Sequence, residues 1–294
     1  MNRLSARSAS SLCAGLFTFV FLIGGNCSRT RVESVTLMNE GVVLAAQKQY
    51  LAAAEKLEQA AVIDPTNEQA LWNLAIVHME MNKFERARDD LQRALTVNPD
   101  VAGYHEKLGT VLMELDDWEG AQRSLTRAIE LDAALFKAHY KLGQVHERLD
   151  NPQEALREYT LAVQSGPRFI EAYRSLGRLY ADLGYLPLAV QVLQSGLQVV
   201  IHGTEDEAHL HHLLGTVYQQ QRDYDSAVRE FRAALDLMPG LREAVFALGW
   251  TYGLQDNREE ARRYLKRYVD SAGAEAPRHY VKAAQDRLIS LGGP

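Results

Sequence analysis

The sequence predicts an all-α solenoid, a stack of paired helices repeated seven times and closed by one further helix. Three observations predict it. From residue 34 onward the chain repeats with a period of 34 residues, as the step from Pro65 to Pro99 shows. Small residues recur in register at Gly41, Ala75, Gly109, Gly143, Gly177, Gly215 and Gly249. Twelve residues after each stands an alanine: Ala53, Ala87, Ala121, Ala155, Ala189, Ala227 and Ala261. Between these positions apolar residues follow three-to-four spacing, the mark of amphipathic helices rather than strands. The chain has 294 residues, 47% of them hydrophobic and 24% charged, which excludes a disordered polymer.

Each element follows from this register. A unit reads as two helices of about a dozen residues. The small residues sit where the two helices cross and let their backbones approach at the short end of the usual range of roughly 8–10 Å. Leu74, Leu108, Leu142 and Leu176 fill the space beside them. A third small series, Ala60, Ala94, Ala128, Ala162, Gly196 and Ala234, ends with Tyr268 in the last unit. Pro65, Pro99, Pro167 and Pro239 close four units, because proline removes the next helical N–H and clashes with the preceding turn. No unit buries its apolar face alone, so the units must stack.

These residues resemble the tetratricopeptide repeat from residue 34 to about 275. The resemblance implies a right-handed superhelical solenoid with units at 34–67, 68–101, 102–135, 136–169, 170–207, 208–241 and 242–275. Residues 276–294 then resemble the solvating helix and tail that cover a last repeat. Pro277 opens that helix, Tyr280, Ala284, Leu288 and Leu291 form one stripe, and Gly292-Gly293 stop it. One irregularity stands out: between Ala189 and Gly215 four extra residues lengthen the turn around Val200–Glu205. The insertion predicts a bulge that loosens the stack into arms of five and two units.

The N-terminus reads as an address. Arg3 and Arg7 precede residues 12–23, LCAGLFTFVFLI, an uncharged apolar run followed by Gly24, Gly25, Asn26 and Cys27. A basic start, a short apolar centre and small residues beyond it make 1–26 a secretory signal peptide. Twelve helical residues reach only about 18 Å, short of a hydrocarbon core of roughly 30 Å. Cys27 resembles the lipid-attachment cysteine of bacterial lipoproteins, although Gly24-Gly25-Asn26 departs from the usual residues before it. The resemblance implies cleavage and acylation at Cys27, with residues 27–33 as a short tether. Ser28, rather than an aspartate, implies the outer membrane, facing the periplasm.

Composition and motifs exclude other classes. Net charge is −6, and −8 without the first 26 residues, which argues against nucleic acid as a partner. The two cysteines, Cys13 and Cys27, leave the repeats without disulfides or thiolate metal sites. No phosphate-cradling G-x-x-x-x-G-K, H-E-x-x-H or G-x-S-x-G is present, so neither an enzyme, a cofactor nor a small-molecule substrate is expected. Five histidines fall at repeat positions where the family places large rings: His105, His139 and His211 at one, His78 and His146 at another. His209 and His212 share a helical face in the ligand-dense 202–212 segment. They are the candidates for a metal- or pH-responsive contact, although no metal site is assigned.

In the tetratricopeptide family the first helix of each unit lines a concave groove that holds a segment of a partner protein. Its inward positions here are Val35, Met38, Val42, Trp72, Ile76, Met79 and Met113 in the early units, then Tyr140, Arg174 and Arg178, and finally Phe246 and Trp250. The apolar early positions favour an adaptable or hot-spot contact, with self-packing as the alternative. Arg174 and Arg178 suit either a solvated face or an acidic tail. The carboxylate-clamp pattern of the family is missing, because Met38 and Val42 occupy its Lys and Asn positions. Together these features resemble exported tetratricopeptide lipoproteins, among them the pilotins that help secretins of type IV pili assemble; adaptors of motility machinery are a further expectation.

Overall fold

The structure, a computed structural model, describes residues 12–272 and 277–292, with side chains from Arg29 onward. The described residues form fifteen α-helices and no strand. They run α1 (Leu12–Ala46), α2 (Tyr50–Ile63), α3 (Glu68–Glu80), α4 (Phe84–Val97), α5 (Ala102–Glu114), α6 (Trp118–Leu131), α7 (Phe136–Arg148) and α8 (Pro152–Ser165). After these come α9 (Ile170–Asp182), α10 (Leu186–Val199), α11 (Glu205–Gln220), α12 (Tyr224–Leu237), α13 (Arg242–Leu254), α14 (Arg258–Ser271) and α15 (Arg278–Ser290). Consecutive helices pack as antiparallel pairs, and each pair packs on its neighbour within two compact units, Met1–Ala133 and Ala134–Pro294.

Close approach holds each pair together. A Cβ on Gly41, Gly109 or Gly177 would lie 2.6, 2.5 or 2.6 Å from Leu57, Leu125 or Leu193 of the following helix. On Gly143 it would lie 2.6 Å from the ring of Tyr159, and on Gly215 2.7 Å from that of Phe231. Those partner side chains are fully buried. The first helix therefore carries a notch and the second a knob. Burying such a knob contributes on the order of 2 kcal/mol per repeat.

The turn inside every repeat uses one left-handed residue. Lys48, Asn82, Asp116, Asp150, Gly184, Arg222 and Asp256 occupy the same position, with φ between 54° and 80°. Four are Asn or Asp, which tolerate this region, and one is glycine. Lys48 and Arg222 hold the same conformation against their own Cβ.

In the first unit Leu57, Ala60, Leu74 and Val77 form one core, and Ala61, Leu71, Ala94 and Tyr104 another. In the second unit the packing is continuous across the insertion: Ala189 and Leu193 of α10 share a core with Val200, Leu210 and Leu214. The insertion thus does not separate five repeats from two, and the division between compact units lies earlier, at Ala133. The physical reason is that the extra residues lengthen α11 at its start. Thr204 caps the helix by accepting from Glu207 N, while the Glu207 carboxylate accepts from Gly203 N at 2.7 Å and from His202 Nδ1 at 2.9 Å.

Helix α15 closes the stack. Ala284 is buried and Leu288 and Leu291 pack against the core of Leu248, Leu265 and Tyr268, while Gly292 ends the helix at φ 80°. At the other end α1 runs unbroken from Leu12 through Cys27 into the first repeat. Residues 1–11 of the expected signal peptide lie outside the described residues, as does the Cys27 side chain. Among the described residues no helix is long and apolar enough to cross a membrane.

Candidate functional site

The expected groove residues separate into three settings. On α1, Val35 and Val42 are exposed whereas Met38 is buried against Leu57 and Leu74. On α3 and α5, Trp72, Ile76, Met79 and Met113 are half-buried, and the Trp72 ring stacks on Tyr104 at 4.9 Å. The remaining residues, all in the second compact unit, line two recesses.

The larger recess, about 560 Å³, opens where α11, α13 and α15 meet. Its wall is aromatic: Phe246 lies 5.7 Å from Trp250, 5.2 Å from Tyr268 and 5.0 Å from Tyr280. Its rim is polar, formed by Gln219, Arg242 and Glu243. Two backbone facts position this cluster. Phe246 and Trp250 are one helical turn apart on α13, so their rings share a face. Tyr268 stands where earlier repeats have alanine or glycine, and its buried ring shares a core with Ala284 of the capping helix α15. Arg287 of α15 donates to Gly253 O at 2.7 Å and holds its guanidinium 5.9 Å from the Trp250 ring, which fixes the cap against the recess.

The smaller recess, about 250 Å³, is lined by Tyr140, Glu171, Arg174, Ser175, Arg178, His209, His212 and Leu213. Its two arginines differ. Arg178 is consumed: one Nη donates to both oxygens of Glu147 at 2.7 and 2.9 Å, the other to Asp182 at 3.1 Å. Among the described residues Arg174 has only a long 3.5 Å contact with Asp206, and its buried Nε has no hydrogen-bond partner. His212 belongs to both recesses. Burial pushes its imidazole down to about 4 against the opposing pull of Glu243, with His209 and Arg174 adding to the depression, so the ring is neutral at pH 7. Its ring packs 5.8 Å from Phe231.

The other histidines serve packing. His139 and His211 bond Glu158 and Glu230 of the next helix at 2.7 and 2.6 Å, His78 bonds buried Asp90 at 2.7 Å, and His105 meets Pro99 O at 2.8 Å. In the 202–212 segment, His202 and Glu207 form the start of α11. Among the described residues no group of three or more His, Cys, Asp and Glu is placed to hold a metal ion, His209 and His212 included.

Sequence reasoning assigned Phe246 and Trp250 to the binding face but not Tyr268 and Tyr280, which complete their recess. The signal for Tyr268 was the break in the small-residue series. Tyr280 carried none, since its stripe on α15 reads as core, yet the ring is 45% exposed.

Comparison with known proteins agrees with this architecture. Tetratricopeptide repeat models match residues 44–110, 106–168, 140–198, 208–241 and 243–272. Curated protein sequences give no significant match. Among solved structures, MamA is 25% identical at a TM-score of 0.53, covering 56% of this chain and 91% of its own. PilF of Pseudomonas aeruginosa is 20% identical at a TM-score of 0.60, over 73% of this chain and 96% of its own. YrrB, described as a tetratricopeptide protein with an unusual peptide-binding site, is 22% identical at a TM-score of 0.54, over 66% of this chain and 98% of its own. Repeat register, paired-helix packing and family models coincide, and the chain belongs to the tetratricopeptide repeat family of protein–protein interaction scaffolds.

Proposed function

We propose that this protein is an exported, non-catalytic scaffold, anchored through lipid on Cys27 to the outer membrane, that holds a segment of a partner protein and assists assembly of an envelope complex such as a secretin. The observation that carries the binding reading is the recess of Phe246, Trp250, Tyr268 and Tyr280. Four rings around an open space of about 560 Å³ form the kind of aromatic anchor site that dominates binding energies, where one truncation costs about 2 kcal/mol or more. A peptide-binding site on the same fold in YrrB supports the class of ligand. The basic start, apolar run and Cys27 support export and anchoring. More than one acyl chain supplies stable attachment where a single chain holds only marginally.

Cross-linking in cells of the producing organism, followed by affinity capture, tests the reading. Wild type is compared with Phe246→Ala/Trp250→Ala and with Trp72→Ala/Ile76→Asp. An envelope protein captured by wild type and lost from the first variant alone supports the assignment. Loss only from the second moves the site to α3. Intact mass of membrane-extracted protein tests the anchor: a chain beginning elsewhere than an acylated Cys27 refutes it.

A further inference from the structure

The proposed binding function leaves open which chemistry the partner segment carries, and the two recesses of the second compact unit specify it. They are contiguous, since His212 forms part of both walls. One is an aromatic cage and the other contains an arginine with unused donors. Of the five N–H groups of Arg174, one makes a 3.5 Å contact with a half-exposed aspartate, and the Nε–H is buried without an acceptor. A carboxylate accepts from the terminal Nη groups, which the one-third exposed side chain presents to the recess, in the bidentate geometry guanidinium groups favour. The neighbouring Arg178 does not compete, because Glu147 and Asp182 already neutralise it.

We infer that the ligand is an extended peptide segment bearing a bulky apolar or aromatic side chain for the Phe246–Trp250 recess and a carboxylate for Arg174. This inference rests on the scaffold reading above and refines it. The recesses flank α11 on its two sides, which sets them roughly 10 Å apart by the usual spacing of packed helices. An extended chain covers that span in about three residues. Thr216 and Gln219 of α11 line the aromatic recess, donating to His212 O and Thr251 Oγ1 and presenting their oxygens as acceptors. An extended backbone needs such polar neighbours for its own amides, which a helix satisfies internally.

A display library of random dodecapeptides, selected on the full-length protein in mild detergent, tests this. The expected result is enrichment of peptides with Trp, Phe, Tyr or Leu and an acid two to four residues away. Arg174→Gln then weakens an acidic peptide by about tenfold or more and leaves its Asp→Asn or Glu→Gln counterpart unchanged. Phe246→Ala/Trp250→Ala weakens both peptides about 30-fold or more. Free and amidated C-termini separate a side-chain carboxylate from a terminal one. Circular dichroism confirms that each variant is folded, and Arg174→Lys, which cannot engage bidentately, must restore less affinity than wild type. Enriched peptides with no acid, or with an acid preference that survives Arg174→Gln, overturn the inference while leaving peptide binding intact. No enrichment at all overturns the peptide-scaffold reading with it.

Discussion

Gly143→Ala in α7 probes the notch-and-knob packing most sharply. Its new Cβ would lie 2.6, 2.7 and 3.1 Å from three atoms of the Tyr159 ring, whereas carbon atoms in favourable contact stand about 3.5–4.0 Å apart. The ring must therefore retreat by roughly 1 Å. It has nowhere to go: Tyr159 is fully buried, Tyr140 packs 5.7 Å away, and the phenol donates to Glu147, which Arg178 holds. Burial, the bond to Glu147 and its charge also push the phenol's pKa up, so it stays a donor across the working range. Overpacking of this kind costs about 1–3 kcal/mol, and loosening a hydrogen bond to a charged group adds about as much. Removing glycine from a helix returns only about 1 kcal/mol. The expected net loss is about 3 kcal/mol, read as a lower urea midpoint or a Tm lower by about 6–12 °C in circular dichroism at 222 nm. Gly103→Ala is the control, because nothing lies within 4 Å of its Cβ position in α5; it gains about 0.5 kcal/mol. If Gly143→Ala is as stable as Gly103→Ala, the close approach does not govern packing.

Three further predictions concern turns, caps and pH. Arg222→Gly relieves a left-handed residue at φ 63° and raises stability by about 0.5 kcal/mol, whereas the same change at Asp150 gains less; paired urea melts decide. Thr204→Ala removes the cap of α11 and costs about 1 kcal/mol, with faster amide exchange confined to the first turn of that helix. His212, depressed to about 4 from 6.5, binds its proton in the unfolded chain first. Its contribution to stability is complete above pH 6.5 and is lost as pH falls toward 4. An NMR titration showing the His212 ring charged at pH 6 would refute this, and His212→Phe should flatten that part of the stability profile.

Sequence alone determined the repeating part of the molecule. Crossing helices demand small residues at fixed intervals, and that demand is written at Gly41, Ala53 and their equivalents. The cap was also legible, since Pro277 and Gly292 bracket an apolar stripe. Local chemistry hid other features. The left-handed turn was invisible at Lys48 and Arg222, residue types that do not favour that conformation. The insertion read as a break because its extra length was visible, while the pairing of Thr204 with Glu207 that folds it into α11 became apparent only in three dimensions. Resemblance to the tetratricopeptide family implies that Phe246, Trp250 and Arg174 lie on inward faces. Only tertiary structure decided which of them converge. Tyr268 and Tyr280 arrive from two other helices to close a recess, and neighbouring carboxylates occupy Arg178 but leave Arg174 with a donor to spare. Repeat register follows from the chain's own period, whereas neighbours depend on how separate helices come together.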